Sequence, residues 1–219
     1  HQLDVYGEVM DAEYQAQRAD IGGDGPVWDL QKLLIDFLES AWDKPDEGIW
    51  EMRGAPQHFT HSKVMAWVAM DRAIRAAQHY KLPGALDRWK TLRTAIHRDV
   101  CAHGFNAHRG TFVQHYGSDE LDASLLLLPI VGFLPASDPR IRATVDAIAR
   151  ELSNDGLVMR YRKHPAPDGL PAGEGVFLPC SFWLADALHL MVRKAEAARL
   201  FARLLKLRGQ AMQKAVPVG

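Results

Sequence analysis

Segments with the helical repeat of apolar side chains run along the whole chain, and they alternate between two kinds. The stretch 26–41, opened by Pro26, keeps Val27, Leu30, Leu33, Leu34, Phe37, Leu38 and Ala41 on one face. Asp29, Lys32, Asp36 and Glu39 take the other, so this helix is wet on one side. The next, 60–80 with Thr60 as N-cap, is apolar nearly all round from Val64 to Met70 and reads as buried. Half-exposed stretches follow at 83–102, 138–152 and 196–207. Buried ones lie at 119–133, capped by Ser118, and after Pro179 through Phe182, Trp183, Leu184, Leu188 and Met191. A first helix covers 3–21 and ends at Gly22-Gly23-Asp24-Gly25, and 157–162 reads as a short extended piece.

The links alternate as well. Those leading into half-exposed helices are short, at 21–25, 81–83, 135–138 and 193–195. Those leading into buried helices are long, at 43–59, 103–118 and 154–178. Helices joined by short loops lie antiparallel, so the long loops gather beside the N-termini of the buried helices, where free N–H groups and positive dipole ends collect. Two concentric helical layers with function-bearing loops on one face describe an all-α fold, an α/α toroid. A plain helical bundle leaves the long loops unexplained.

Composition narrows the function. A chain of 219 residues with 47% apolar side chains can bury one sizeable core, and a single domain over 1–219 is expected. A net charge of -1 gives no reason to expect nucleic acid or a membrane surface as partner. The longest greasy run, 125–134, is broken by Pro129 and Gly132 and cannot span a bilayer. Cys101 and Cys180 sit in apolar helical patterns and read as buried thiols, which with the resemblance below points to the cytoplasm.

The long loops hold the unusual side chains: Asp46, Trp50, Glu51, Arg53 and His58 on the first, and Phe105, His108, Arg109, His115 and Tyr116 on the second. The second leads to Asp119, Glu120 and Asp122, whose acids suit the first turn of a helix, and the third carries Arg160, Tyr161, Arg162, His164, Asp168, Glu174 and Phe177. Carboxylates, arginines and aromatic faces together suit a sugar. His58 and His61 stand three apart, but no Cys or acidic pair completes a metal site, so neither metal nor cofactor is expected. Glu51 stands between Trp50 and Met52. A carboxyl against an indole is partly desolvated, favours its proton and titrates above an ordinary glutamate, which suits a general acid. The competing reading pairs Glu51 with Arg53 on a solvated loop.

Gly48-Ile49-Trp50-Glu51-Met52-Arg53-Gly54, followed by His58-Phe59-Thr60-His61-Ser62-Lys63, resembles the catalytic-acid segment of bacterial glucoamylase/trehalase-type enzymes, glycoside hydrolase family 15. Leu3-Asp4-Val5-Tyr6-Gly7-Glu8, Gly117-Ser118-Asp119-Glu120-Leu121-Asp122 and the stretch from Glu174 to Trp183 resemble other landmarks of the same catalytic domain, in the same order. The resemblance implies an (α/α)6 barrel and an inverting, exo-acting hydrolase that releases glucose from α-glucosides. It implies Glu51 as general acid, with Asp46, Trp50, Arg53, Lys63, Glu120, Arg160 and Glu174 on the sugar site.

Departures accompany it. About four of the six helix pairs of such a barrel are visible, so the toroid is expected to be incomplete. The family's Trp-x-Arg-Asp segment is missing, and 209–219, the position expected for the general-base loop, holds no carboxylate. Inversion needs that base to activate water across roughly 6.5–9.5 Å. The chain by itself is therefore expected to turn over little. The alternative is a non-catalytic relic kept for carbohydrate binding, structure or oligomerisation. An open toroid exposes the apolar flanks of its first and last helices, so a homo-oligomer, most simply a dimer, is expected.

Overall fold

The computed structural model describes residues 2–21, 25–52, 54–162 and 177–215. The chain is mostly helical and forms two compact units. The first comprises the described residues up to Arg109 and those of Val113–Asp119. The second comprises Gly110–Phe112 and the described residues from Glu120 onward.

The first unit holds α1 (Asp4–Arg18), α2 (Gly25–Ala41), α3 (Thr60–Tyr80), α4 (Leu86–His103) and the short β1 (Phe105–Asn106). The other helices pack around α3. Val64, Ala66, Val68, Ala69, Met70 and Ala73 are all fully buried, which is the physical content of its all-round apolar pattern. Alanines on α3 and a glycine on α1 let backbones meet. A Cβ built on Gly7 would lie 2.2 Å from the carbonyl oxygen of Met65, so only glycine allows α1 to seat there. Trp28 on α2 stands edge-on to Trp89 on α4, with ring centroids 6.0 Å apart. Its indole donates to the carbonyl of Pro83.

One buried anion ties these helices. Asp71 on α3 accepts from Arg72 at 2.8 Å, Arg75 at 2.6 Å and, on α4, Arg93 at 2.9 Å. Arg72 also reaches Asp11 of α1 at 2.5 Å. A buried carboxylate shared among three guanidinium groups keeps its charge compensated.

The second unit holds β2 (Thr111–Phe112), a 3-10 turn (Ala123–Leu126), α5 (Leu127–Ile130), α6 (Pro139–Glu151), β3 (Ser153–Asn154), β4 (Leu157–Val158), α7 (Leu178–Leu190) and α8 (Lys194–Ala215). Here α7 is the helix that the others meet. Asp138 caps α6 by accepting from the Arg140 N–H, with Pro139 opening the helix as its sequence requires. β3 and β4 form an antiparallel hairpin whose Asp155-Gly156 turn has positive φ at both residues, 45° and 66°. Cys101 and Cys180 form no disulfide among the described residues; Cys180 is fully buried as expected, whereas Cys101 is half-buried.

The expected helix over 119–133 is shorter. Ser118 does not cap it, and Asp119 and Glu120 stand outside any helical turn. Asp122 pairs with Tyr161 and accepts from the Ser124 N–H, while the Ala123 N–H donates to the Arg160 carbonyl at 2.7 Å. Those backbone groups are spent on another strand, and Pro129 has no N–H to give to a helical ladder. Thr60 is likewise the first helical residue; the N-cap is Phe59. α8 runs to Ala215, so 209–215, expected as the start of a loop, is helical.

Gly7→Ala is expected to cost at least about 2 kcal/mol, because the methyl group would overlap backbone rather than a mobile side chain. A denaturant titration against wild type checks this.

Candidate active site

The loop bearing Glu51 is closed on itself. The Asp46 N–H donates to the Gln57 carbonyl at 2.9 Å, and the Gln57 N–H returns to the Asp46 carbonyl at 2.8 Å. Inside this neck, the Glu51 N–H donates to Gly48 and the Met52 N–H to Glu47. Gly48 has φ 68°, and a Cβ there would lie 2.8 Å from the Phe59 ring, so glycine is required for the loop to lie on that ring. Glu51 itself has φ 49°. A side chain in the left-handed region costs roughly 1–2 kcal/mol, a strain that functional loops often carry. Glu51 is exposed, whereas Trp50 is half-buried. The burial expected to desolvate the Glu51 carboxyl is absent.

Three attachments hold the loop. The buried carboxylate of Asp46 accepts the Leu3 N–H at 3.1 Å. The Gln2 side-chain amide donates to the Gly48 carbonyl at 3.3 Å. On the far side, Lys63 is wholly buried, and its ammonium donates to the carbonyls of Trp42, at 2.7 Å, and Lys44. These carbonyls lie just beyond the C-terminus of α2, where the helix dipole favours a cation. Lys63 thus faces backbone oxygens rather than solvent.

The first and second long loops are zipped together. Phe59 pairs with His115, the Thr60 N–H donates to Gln114, and the Tyr116 N–H donates to His58. The His58 and Tyr116 rings stack at 5.8 Å, and the Tyr116 hydroxyl donates to Asp99 at 2.9 Å. Above Lys63 they border a cavity of about 220 Å³, together with Trp42, Asp43, Asp99 and His103. Reading the loops singled out His58 and Tyr116 but missed Asp99 and His103, which lie on α4 and reach the site only through its packing.

In the second unit, Glu120 and Arg160 are half-buried. The Arg160 guanidinium lies over the Tyr161 ring at 5.8 Å, and its carbonyl holds the Ala123 N–H. Arg53 and Glu174 lie outside the described residues.

Burial dominates the electrostatics of the first unit. It raises the Asp4 carboxyl to about 6, helped by the negative charges of Glu8, Asp46 and Glu51. It lowers His61, which has no hydrogen-bond partner at either ring nitrogen among the described residues, to about 4. It lowers the Lys63 ammonium to about 8, with Asp46, Asp43 and Asp99 opposing.

The Glycosyl hydrolases family 15 profile matches residues 1–216. The chain belongs to that family. A protein named Trehalase from Mycobacterium tuberculosis is 44% identical over 204 residues, covering 93% of this chain and 30% of the relative. A second Trehalase, from Thermoplasma acidophilum, is 39% identical over 198 residues, covering 90% of this chain and 34% of that one. This family 15 chain thus spans about a third of the length of the curated relatives it matches. A solved wild-type glycosidase superposes with TM-score 0.70 at 21% identity, covering 91% of this chain and 52% of the other. A glucoamylase from Saccharomycopsis fibuligera does so with TM-score 0.56 at 10% identity, covering 75% and 39%. These two likenesses concern the fold.

His61 generates a pH prediction. Its folded value lies below the ordinary 6.5, so between that and about 4 the unfolded chain binds a proton that the folded chain refuses. Stability contributed by neutral His61 is full above this window and lost as pH falls through it, by on the order of 3 kcal/mol. The stability difference between wild type and His61→Gln, measured by denaturant titration across the window, is expected to narrow by that amount on acidification.

Proposed function

We propose that this family 15 chain is the acid-bearing portion of an inverting, exo-acting α-glucoside hydrolase that releases glucose, with trehalose the first substrate to test. The observation that carries the reading is the closed, clasped loop that bears Glu51, in a chain 44% identical to a named Trehalase over 204 residues. A general acid must be reachable by the glycosidic oxygen, and a loop closed at its neck holds it in place. A glycosidase in complex with glucose among the structural neighbours, with TM-score 0.70, accords with the sugar class. In this reading Glu51 protonates the leaving group, Trp50, Arg53, Glu120, Arg160 and Glu174 contact the sugar as the resemblance implies, and the buried Asp46 carboxylate holds the loop rather than the substrate. Lys63 supports the loop from beneath. The base that activates water comes from outside these segments. The fold is one domain, part of an (α/α)6 toroid with about four of its six helix pairs, and its compartment is the cytoplasm.

The exposure of Glu51 favours a second reading for the chain by itself. The apolar surroundings that serve a general acid are not around it, as befits a carbohydrate-binding relic without turnover. Glucose release from trehalose and maltooligosaccharides separates the two. Hydrolysis by wild type that falls by about a thousandfold in Glu51→Gln supports the first. A folded wild type that releases no glucose but retains sugar binding supports the second.

Assembly follows from the surface. Leu30, Leu33 and Phe37 on α2, and Phe201 and Leu205 on α8, are exposed. Apolar faces of this kind favour burial against another surface. We propose that a second copy covers them. Light scattering at micromolar concentration is expected to report a dimer; a monodisperse monomer would count against it.

A further inference from the structure

The recess of about 220 Å³ above Lys63 lies wholly within the first unit. Its walls come from three places. Trp42 and Asp43 follow the end of α2, and Asp99 and His103 belong to the end of α4. His58 and Tyr116 stand where the two long loops are zipped. Neither Glu51 nor Trp50 lines it.

Some of the polar groups here are committed to the fold and keep the walls in place. The Lys63 ammonium donates to the Trp42 and Lys44 carbonyls. The Asp99 carboxylate meets the Tyr116 hydroxyl and His103 Nδ1, each at 2.9 Å. Others are unspent. Among the described residues no hydrogen bond or ion pair engages the Asp43 carboxylate, the Trp42 indole N–H, the His58 ring nitrogens or His103 Nε2. Trp42 and His58 are half-buried, so each has given up water without gaining a protein partner for its ring nitrogens. Burial, reinforced by the Lys63 ammonium, pushes the His58 imidazole below its usual range. At neutral pH it is therefore uncharged and offers one donor and one acceptor.

The chemistry of the walls selects among ligands. An anion would face the carboxylates of Asp43 and Asp99, and a cation would face the Lys63 ammonium beneath. Among the described residues no group of three or more His, Cys, Asp or Glu could hold a metal ion. A neutral hydroxylated ring meets neither objection. Its hydroxyls donate and accept, as the unspent groups require, and its C–H face can rest on an aromatic one. The volume lies below the roughly 300–1,000 Å³ of pockets that take drug-sized ligands, so it suits one ring rather than a chain of them.

We propose that this recess is a carbohydrate site, built without Glu51 or Trp50, that takes a single neutral hexose. Asp43 accepts from its hydroxyls, the Trp42 indole donates, and His58 and His103 complete the polar contacts. The sugar class follows from the recess. That the occupant is the reaction's own glucose rests on the reading of this chain as part of a glucose-releasing hydrolase. An occupant joining Asp43 and His58 to His103 would tie the first long loop to α4, adding to the hold that Tyr116 has on Asp99.

The test is titration of the isotopically labelled chain with D-glucose, followed by magnetic resonance. The Trp42 and Trp50 indole N–H signals report the recess and the Glu51 loop separately. The Trp42 signal and the His58 and His103 amides are expected to move along one saturable curve. At the efficiency usual for small ligands, about 12 non-hydrogen atoms give a Kd on the order of a few millimolar. Asp43→Ala, at an exposed position, is expected to weaken binding at least about tenfold. His103→Ala, also exposed, is expected to weaken it about threefold and serves if the first variant does not fold. A Trp42 signal that does not saturate, or affinity unchanged in both folded variants, overturns the proposal. So does a stronger response of that signal to sulfate or methylammonium than to glucose. Glucose that moves only the Trp50 signal overturns it while leaving the hydrolase reading intact. Saturable binding at Trp42 in a chain that releases no glucose supports the site and counts against that reading alone.

Discussion

The approach of α1 to α3 at Gly7, where a single methyl group would strike the Met65 carbonyl, sets the geometry on which the first unit depends. It brings the N-terminus of α1 to the base of the Glu51 loop, so Gln2 and Leu3 can bond Gly48 and Asp46. The same approach places Arg72 of α3 within reach of Asp11 of α1, and Asp71 carries the link on to α4. A helix buried on every side, as α3 is, can be reached this closely only by small residues, and the chain supplies alanines and a glycine at the contact.

The Glu51 loop is therefore held by packing as much as by its own turns. Its neck is a backbone pair, its α1 side is a buried carboxylate, and its α2 side is a buried ammonium. Each of these groups is costly to bury and tolerable only because a backbone partner meets it. That economy leaves several polar atoms without partners, those of His61, Asp4 and Asp46 among them.

Much of this was legible in the residues. The bounds of α3 and the start of α6 follow from apolar periodicity and from Asp138-Pro139, signals local to a few turns. The fifth helix was misread because its expected first turn is spent on pairing with Tyr161 and Arg160, partners remote in the chain. Glu51 was expected against an indole, yet adjacency in sequence does not decide which way a side chain leaves a left-handed residue. The cavity bordered by Asp99 and His103 was invisible for a related reason, since α4 contributes them only through its docking on α3.

What the sequence by itself determined is the family and the helical character, because motif order, periodicity and turn chemistry are written in neighbouring residues. Tertiary structure alone decided that Glu51 faces water, that Lys63 serves carbonyls and that Asp4 and Asp46 are buried. Those outcomes depend on desolvation and on partners that only folding brings together. No spacing along the chain encodes them.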